Sequence, residues 1–367
     1  MNNVIHFYFL PWLNIKDPLQ IHNIKLHPIT LSEFPDSSEL GNETKEKIIK
    51  ELSRYCDDNG KPREKIVLCS YKEKLFQKND IADEVTQAVD ILAFLYTTLE
   101  FAVKISSPNS SGGIPCTNIF EMKHYRIPLD TSKIFTYVAG VNRFWGDITF
   151  HQPLETIHQE LNCDTDFIRL FSEQLYSPDF DIALRTKIFR GLELYYYAHI
   201  ETAQHLEISK IIMLATALEI ILEIEEYHHK KIEILEKLEQ VADQFFIKEK
   251  KSLLSGECKA IKDKGKLNNY IAEFTKFAWW GYNFYKLRNS IVHGDVINAT
   301  EFYVDNRIPH KYIASLVILK YAMSKMPKLV RPPIVKIEDL EKLPPVTVTN
   351  SFLSDTLKEL GWVNYKI

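Results

Sequence analysis

Apolar positions along this chain follow two different rhythms, and the change between them divides it. Over 4–13 aromatic and β-branched residues dominate, which predicts a strand. Residues 20–29 alternate loosely and predict its partner. Spacing over 46–56 is helical, the run Asp57-Asp58-Asn59-Gly60-Lys61-Pro62 predicts a turn, and 65–71 reads as a short buried strand. A long helix is expected over 83–103, with Val85, Ala88, Ile91, Leu92, Leu95, Leu99 and Ala102 on one broad face. It should end in the Ser/Gly-rich loop 106–113. Strands resume over 120–128 and 133–139, and 142–147 reads as a turn with aromatic anchors.

From about Pro178 glycine becomes scarce and the period turns helical. Helices are expected over 182–203, 206–226, 231–246, 267–293 and 310–326, the last opened by Pro309 and stopped before Pro327. The segment 248–262 should add a turn or two. The tail carries Pro332-Pro333 and Pro344-Pro345, which favour extended straps, and Ser354 is placed to cap a last short helix ended by Gly361. The fold class expected is α+β overall. A mixed α/β domain spans 1–175, an all-helical domain 176–330, and a proline-punctuated strap 331–367.

Composition narrows the setting. The chain has 367 residues, which favours two domains over one core. Hydrophobic residues at 45% and charged residues at 26% argue against large-scale disorder. A net charge of −4 argues against a non-specific coat for nucleic acid, so any such contact must use a local patch or a small cleft. The five cysteines, Cys56, Cys69, Cys116, Cys163 and Cys258, are odd in number and form no CxxC pair, which points to a reducing cytoplasm. The first residues carry no basic stretch followed by a long apolar run, and apolar runs such as 211–215 are too short to span a membrane. A soluble cytoplasmic protein is expected, with no membrane partner.

One segment carries candidate chemistry. The fourth helix of the second half ends Tyr285-Lys286-Leu287-Arg288-Asn289-Ser290-Ile291-Val292-His293-Gly294-Asp295. Cations suit the last turn of a helix and glycine suits its cap, so Arg288 and His293 can be read simply as a helix end. The spacing allows more. Asn289 and His293 share a face, which Tyr282 and Tyr285 extend. Arg288 lies about 140° around the helix from His293, at about 100° per residue. A curled Arg side chain or a second copy of the chain would be needed to bring the two together.

Arg288-Asn289-Ser290-Ile291-Val292-His293 resembles the R-N-x-x-x-H signature of HEPN domains. The flanking Tyr285-Lys286-Leu287 and Gly294 look like the Apea-like branch, found in bacterial anti-phage and abortive-infection proteins. Ala217-Leu218-Glu219-Ile220-Ile221-Leu222 resembles the A-L-E pattern of that family's second main helix. The resemblance covers roughly residues 180–327 and implies a metal-independent endoribonuclease without cofactor, acting as a toxin or defence effector. It implies a homodimer, with two motifs facing one cleft on an RNA strand. His293 would transfer protons, Arg288 would hold the scissile phosphate, and Asn289 would orient the site. Glu219 would brace Arg288, or be an ordinary locally paired Glu, and Lys286 would meet RNA backbone or be a plain surface lysine. Residues 1–175 carry no recognised family resemblance; a sensing or restraining role, with a possible phage-derived trigger, is inferred from the family pattern and from the lack of catalytic motifs there. Two alternatives stay open: a non-catalytic HEPN module that binds RNA, nucleotide or a protein partner, and a helical scaffold.

Other signals weigh less. His228-His229 point to different helical faces. Cys163-Asp164-Thr165-Asp166 lacks the Gly and Glu of a calcium loop and suits a helix cap or turn. Ser110-Ser111-Gly112-Gly113 is no P-loop. Tyr195-Tyr196-Tyr197 and Trp279-Trp280 suit a core or dimer interface, and Glu223, Glu225 and Glu226 a solvated face.

Overall fold

Alternation builds the first half. The computed structural model describes residues 4–36, 41–57, 59–106, 116–128, 135–138, 141–144, 161, 164–201, 207–225, 230–245, 250–252, 273–304 and 308–329. Strands β1 (Val4–Leu10), β2 (Leu19–Ile21), β3 (Ile24–Thr30), β4 (Lys65–Tyr71), β5 (Lys123–Pro128), β6 (Phe135–Val138) and β7 (Val141–Phe144) form one antiparallel sheet in the order β2-β3-β4-β1-β5-β6-β7. Odd positions of β1, namely Ile5, Phe7 and Phe9, join Ile66, Leu68, Tyr125 and Ile127 in a core closed by Ile48 and Leu52 of helix α1 (Asn42–Leu52). Phe7 stacks on Phe9 and Phe76, each at 5.4 Å. Burying a ring of that size contributes about 1.5–3 kcal/mol. Even positions of β1, His6, Tyr8 and Leu10, are also buried and occupy the opposite face.

Tyr8 ties that second face to the next helix. Its hydroxyl donates to Asp80 Oδ1 at 2.7 Å and accepts from the Ile81 amide at 3.0 Å, immediately before α2 (Ala82–Ser106). Helix α3 (Thr165–Leu175) follows, a helix that the sequence reading does not contain. Asp164 caps it, its carboxylate accepting from the Phe167 amide at 2.9 Å, and Phe167, Ile168, Phe171 and Leu175 supply its buried stripe. The turn expected over 142–147 is strand β7 as far as Phe144, because Val141 to Phe144 pair with β6 residue by residue.

Helical periodicity builds the second half as α4 (Ile182–Ala198), α5 (Glu207–Ile221), α6 (Lys230–Phe245), α7 (Lys276–His293) and α8 (His310–Ser324). Helix α4 packs on α5, α6 on α7, and α5 touches both α7 and α8. Gly191 makes the first approach possible: a Cβ there would lie 2.4 Å from Ile221 Cδ1. The helix expected from 267 begins only at Lys276. Strand-forming Phe274 and Thr275 precede it in β9 (Glu273–Thr275), which pairs with β8 (Lys250–Ser252) where a helical turn was expected. A short hairpin, β10 (Tyr303–Val304) with β11 (Ile308–Pro309), leads into α8.

The chain is mixed α+β and divides into two compact units. Met1–Ala93, Cys116–Ser177 and His199–Gln204 form one; Phe94–Pro115, Pro178–Ala198 and His205–Ile367 form the other. The first expected boundary falls after residue 175, yet the second half of α2 counts with the helices. There the Thr97 and Thr98 hydroxyls lie 2.8 and 3.3 Å from the Tyr195 hydroxyl, and Phe101 stacks on Tyr312 at 4.2 Å. Among the described residues no helix is long and apolar enough to cross a membrane. The 106–113 loop beyond Ser106, His228-His229, Cys163, Cys258 and the 331–367 strap lie outside the described residues.

Candidate functional site

Helix α7 ends at the signature. Gly294 has φ +79°, open only at strain to other residues, and its amide donates to the Ile291 carbonyl at 3.1 Å while that of Asp295 donates to Ser290 at 2.9 Å. This paired closure is a Schellman cap, and it leaves His293 as the last, exposed helical residue. Lys286 is exposed as well. Buried Phe284, Tyr285 and Leu287 hold the helix from its inner side. Among the described residues, no hydrogen bond or ion pair engages the His293 ring.

Arg288, five residues earlier on the same helix, is half-buried. One guanidinium nitrogen, Nη1, donates to Asn289 Oδ1 at 3.1 Å, Nη2 lies 3.8 Å from Glu219 Oε1, and the group sits 5.4 Å from the centre of the Tyr285 ring. Arg288 Nε is buried and, among the described residues, has no hydrogen-bond partner, so any donor left for a ligand lies on the Nη side of the fork. Glu219, on α5, also pairs with Lys230 at the start of α6. Burial, reinforced by the Glu219 carboxylate, pushes the Tyr285 hydroxyl well above the usual phenol range. Of the five residues singled out from the sequence, Arg288, Asn289 and Glu219 are therefore directly linked. His293 stands at the helix end, and Lys286 faces solvent.

The aromatics near this helix have structural duties. Trp280 is buried and its indole N–H donates to His310 Nδ1 at 3.0 Å. Burial lowers His310 to about 4, so it is neutral near pH 7. Trp279 stacks on Tyr282 at 5.2 Å, and Tyr195 is buried while Tyr197 is largely exposed. Glu223 pairs with Lys187 at 2.8 Å.

A second cluster, which the sequence reading misses, lies on the second face of the sheet. His6 Nδ1 is 3.0 Å from His124 Nε2 and 3.8 Å from Asp80 Oδ2. Both imidazoles are buried, whereas the Asp80 side chain is 44% exposed. Burial, with the nearby Arg126 charge, holds His6 below the ordinary histidine value and His124 at about 4, against the opposing pull of Asp80. Tyr8 packs flat on His124 at 4.3 Å. Strand alternation puts His6 and Tyr8 on one face, but nothing in a single sequence announces that His124 and Asp80 join them.

No family model, curated protein or solved structure matches this chain. What each cluster can do must come from its own chemistry.

Proposed function

We propose that the helical unit is an HEPN-type bundle and that the chain is a metal-independent endoribonuclease, used as a toxin or anti-phage effector. The observation that carries this reading is the meeting of its two motif segments. Glu219 of the Ala217-Leu218-Glu219 segment lies 3.8 Å from Arg288 of the Arg288–His293 segment, although α6 and the residues after it separate them in the chain. At that distance Glu219 makes an ion pair with the guanidinium and no hydrogen bond; it balances the Arg288 charge, and the hydrogen bond to Asn289 Oδ1 orients the fork.

In this reading a ribose 2′-hydroxyl loses its proton and attacks phosphorus, and the bond to the 5′-oxygen breaks as that oxygen takes a proton. The products are a 2′,3′-cyclic phosphate and a 5′-hydroxyl. His293 of one copy is the base or acid and His293 of a second copy the other. Arg288 stabilises the developing negative charge. Asn289 sets the orientation of Arg288 through its amide oxygen. Exposed Val292 and Val296, on either side of His293 and Gly294, suit a contact with that second copy.

The test is cleavage of total RNA by the full chain in EDTA, with end-group analysis. Wild type should give cyclic-phosphate ends in chelator. His293→Ala should lose about 10²–10⁴-fold in rate. Arg288→Lys, which keeps the charge and loses the fork, should lose about 10²-fold or more. RNA binding without cleavage by wild type would instead favour a non-catalytic module.

A further inference from the structure

We infer that His6, His124 and Asp80 form a binding site for one divalent transition-metal ion of the zinc class, in the sheet unit. Three ligand atoms, one from each residue, lie within 4.8 Å of one another. Around a tetrahedral ion with bonds of about 2.0–2.1 Å, neighbouring ligand atoms stand about 3.3 Å apart. The 3.0 and 3.8 Å separations at His6 Nδ1 bracket that spacing, so modest side-chain rotation would suffice to seat the ion. Two imidazoles and one carboxylate suit zinc, cobalt or nickel better than magnesium or calcium, which prefer all-oxygen ligands.

The surroundings are those of a built site. Asp80 Oδ1 accepts from the Tyr8 hydroxyl at 2.7 Å and from the Ala82 amide at 3.1 Å, which leaves Oδ2 turned toward His6. Orienting a ligating carboxylate from its far oxygen is the usual task of groups behind a metal ligand. His6 is fixed by its backbone as well: it exchanges hydrogen bonds with Gln77 at 2.7 and 3.0 Å, and this pairing carries the chain from β4 toward Asp80. In the strand register His6 faces Arg126 and Tyr8 faces His124, so both imidazoles come from adjacent strands and one face. Arg126 is the opposing charge; Glu84, near Tyr8, acts in the ion's favour. The facing nitrogens share one proton at 3.0 Å, and that proton moves to a far ring nitrogen when both ligate the ion. Asp80 forms the solvent side, so water or an exchangeable ligand would complete the ion's coordination.

The site departs from the expectation of a chain without cofactor, and it stands independently of the ribonuclease reading. Its test is binding, not activity. The full chain, stripped with chelator and dialysed, is titrated with Zn²⁺ by calorimetry and with Co²⁺ by visible absorption. Wild type should take up one equivalent of each, with Co²⁺ giving the strong d–d bands of a four-coordinate site. Asp80→Asn keeps an acceptor for Tyr8 and should weaken binding at least ~10-fold, as should His6→Gln. His27→Gln alters a half-buried histidine paired instead with Ser70, and it should bind as wild type does. Circular dichroism confirms that each variant folds. No uptake by wild type would leave a neutral hydrogen-bonded histidine pair and overturn the inference. Equal uptake by wild type, Asp80→Asn and His6→Gln would place the ion on surface histidines and overturn it as well.

Discussion

A histidine can be a switch, a ligand or a piece of core, and its surroundings decide which. His293 is exposed at a helix end, His6 and His124 face each other beside a carboxylate, and His310 is walled in by Trp280 and Phe284. His310 gives the clearest consequence. Trp280 donates to Nδ1, which assigns the ring proton to Nε2, and the ring opens helix α8, where the positive end of the helix dipole further disfavours an imidazolium. The folded value of about 4 lies below the ordinary 6.5. Between those values the unfolded chain binds a proton that the folded chain refuses, so stability is complete above about pH 6.5 and drains away as pH falls toward 4. At pH 4.5 the loss from this residue is about 2–3 kcal/mol. His310→Asn retains an acceptor for Trp280 and cannot titrate. In urea denaturation at pH 7 and pH 4.5, the variant should lose less stability than wild type by roughly that margin. Parallel losses in both would assign the acid sensitivity to other groups.

Among helices, the decisive contacts are between facing residues, and those are hard to read along a chain. The strand over 65–71 and the helix starting near 82 were legible because each carries its own local signal: a short continuous buried run after a turn in one, a broad apolar face in the other. Helix α3 was legible only at its cap: Asp164 suited a helix cap or turn, but the four apolar residues after it did not by themselves announce a helix. Of the candidate site, the Arg288–His293 segment and its glycine cap were legible locally. The bond between Arg288 and Asn289 and the approach of Glu219 needed the folded bundle. Gly191 illustrates the same limit. Helix propensity alone says that Gly191→Ala should stabilise α4 by about 1 kcal/mol. Packing says the reverse, because the new methyl would meet both Cδ1 and Cγ1 of Ile221 at 2.4 Å. Overpacking of this kind costs about 1–3 kcal/mol and should win, lowering the Tm of the full chain. Combining it with Ile221→Val removes Cδ1 and should recover part of the loss; a Tm raised by Gly191→Ala alone would show that α4 and α5 can slide apart cheaply.

At the scale of the molecule the question is how an acidic chain would act on RNA, as proposed. A net charge of −4 gives no long-range attraction for a polyanion, so catalysis must depend on a small region where charge is concentrated. The end of α7 offers Lys286 and Arg288, with Lys230 and Lys231 at the start of the neighbouring α6, but one His293 supplies one proton-transfer group where cleavage needs an acid and a base. Pairing two copies at this end would double both the imidazoles and the local positive charge. It would also cover Val292 and Val296, which are 51% and 92% exposed. The dependence on assembly can be measured. Val292→Gln combined with Val296→Glu alters two exposed residues that make no part of the proposed chemistry, so its cost to folding should stay within about 1 kcal/mol. In sedimentation experiments the wild type should be a dimer and the double variant a monomer, and RNA cleavage should disappear with the dimer while the Tm holds. Wild-type cleavage should also fall faster than linearly on dilution below the dimer's dissociation constant. A folded, monomeric variant that cleaves RNA at the wild-type rate would mean that a single chain completes the site, and Arg288 and His293 would then have to work without the partner invoked for them.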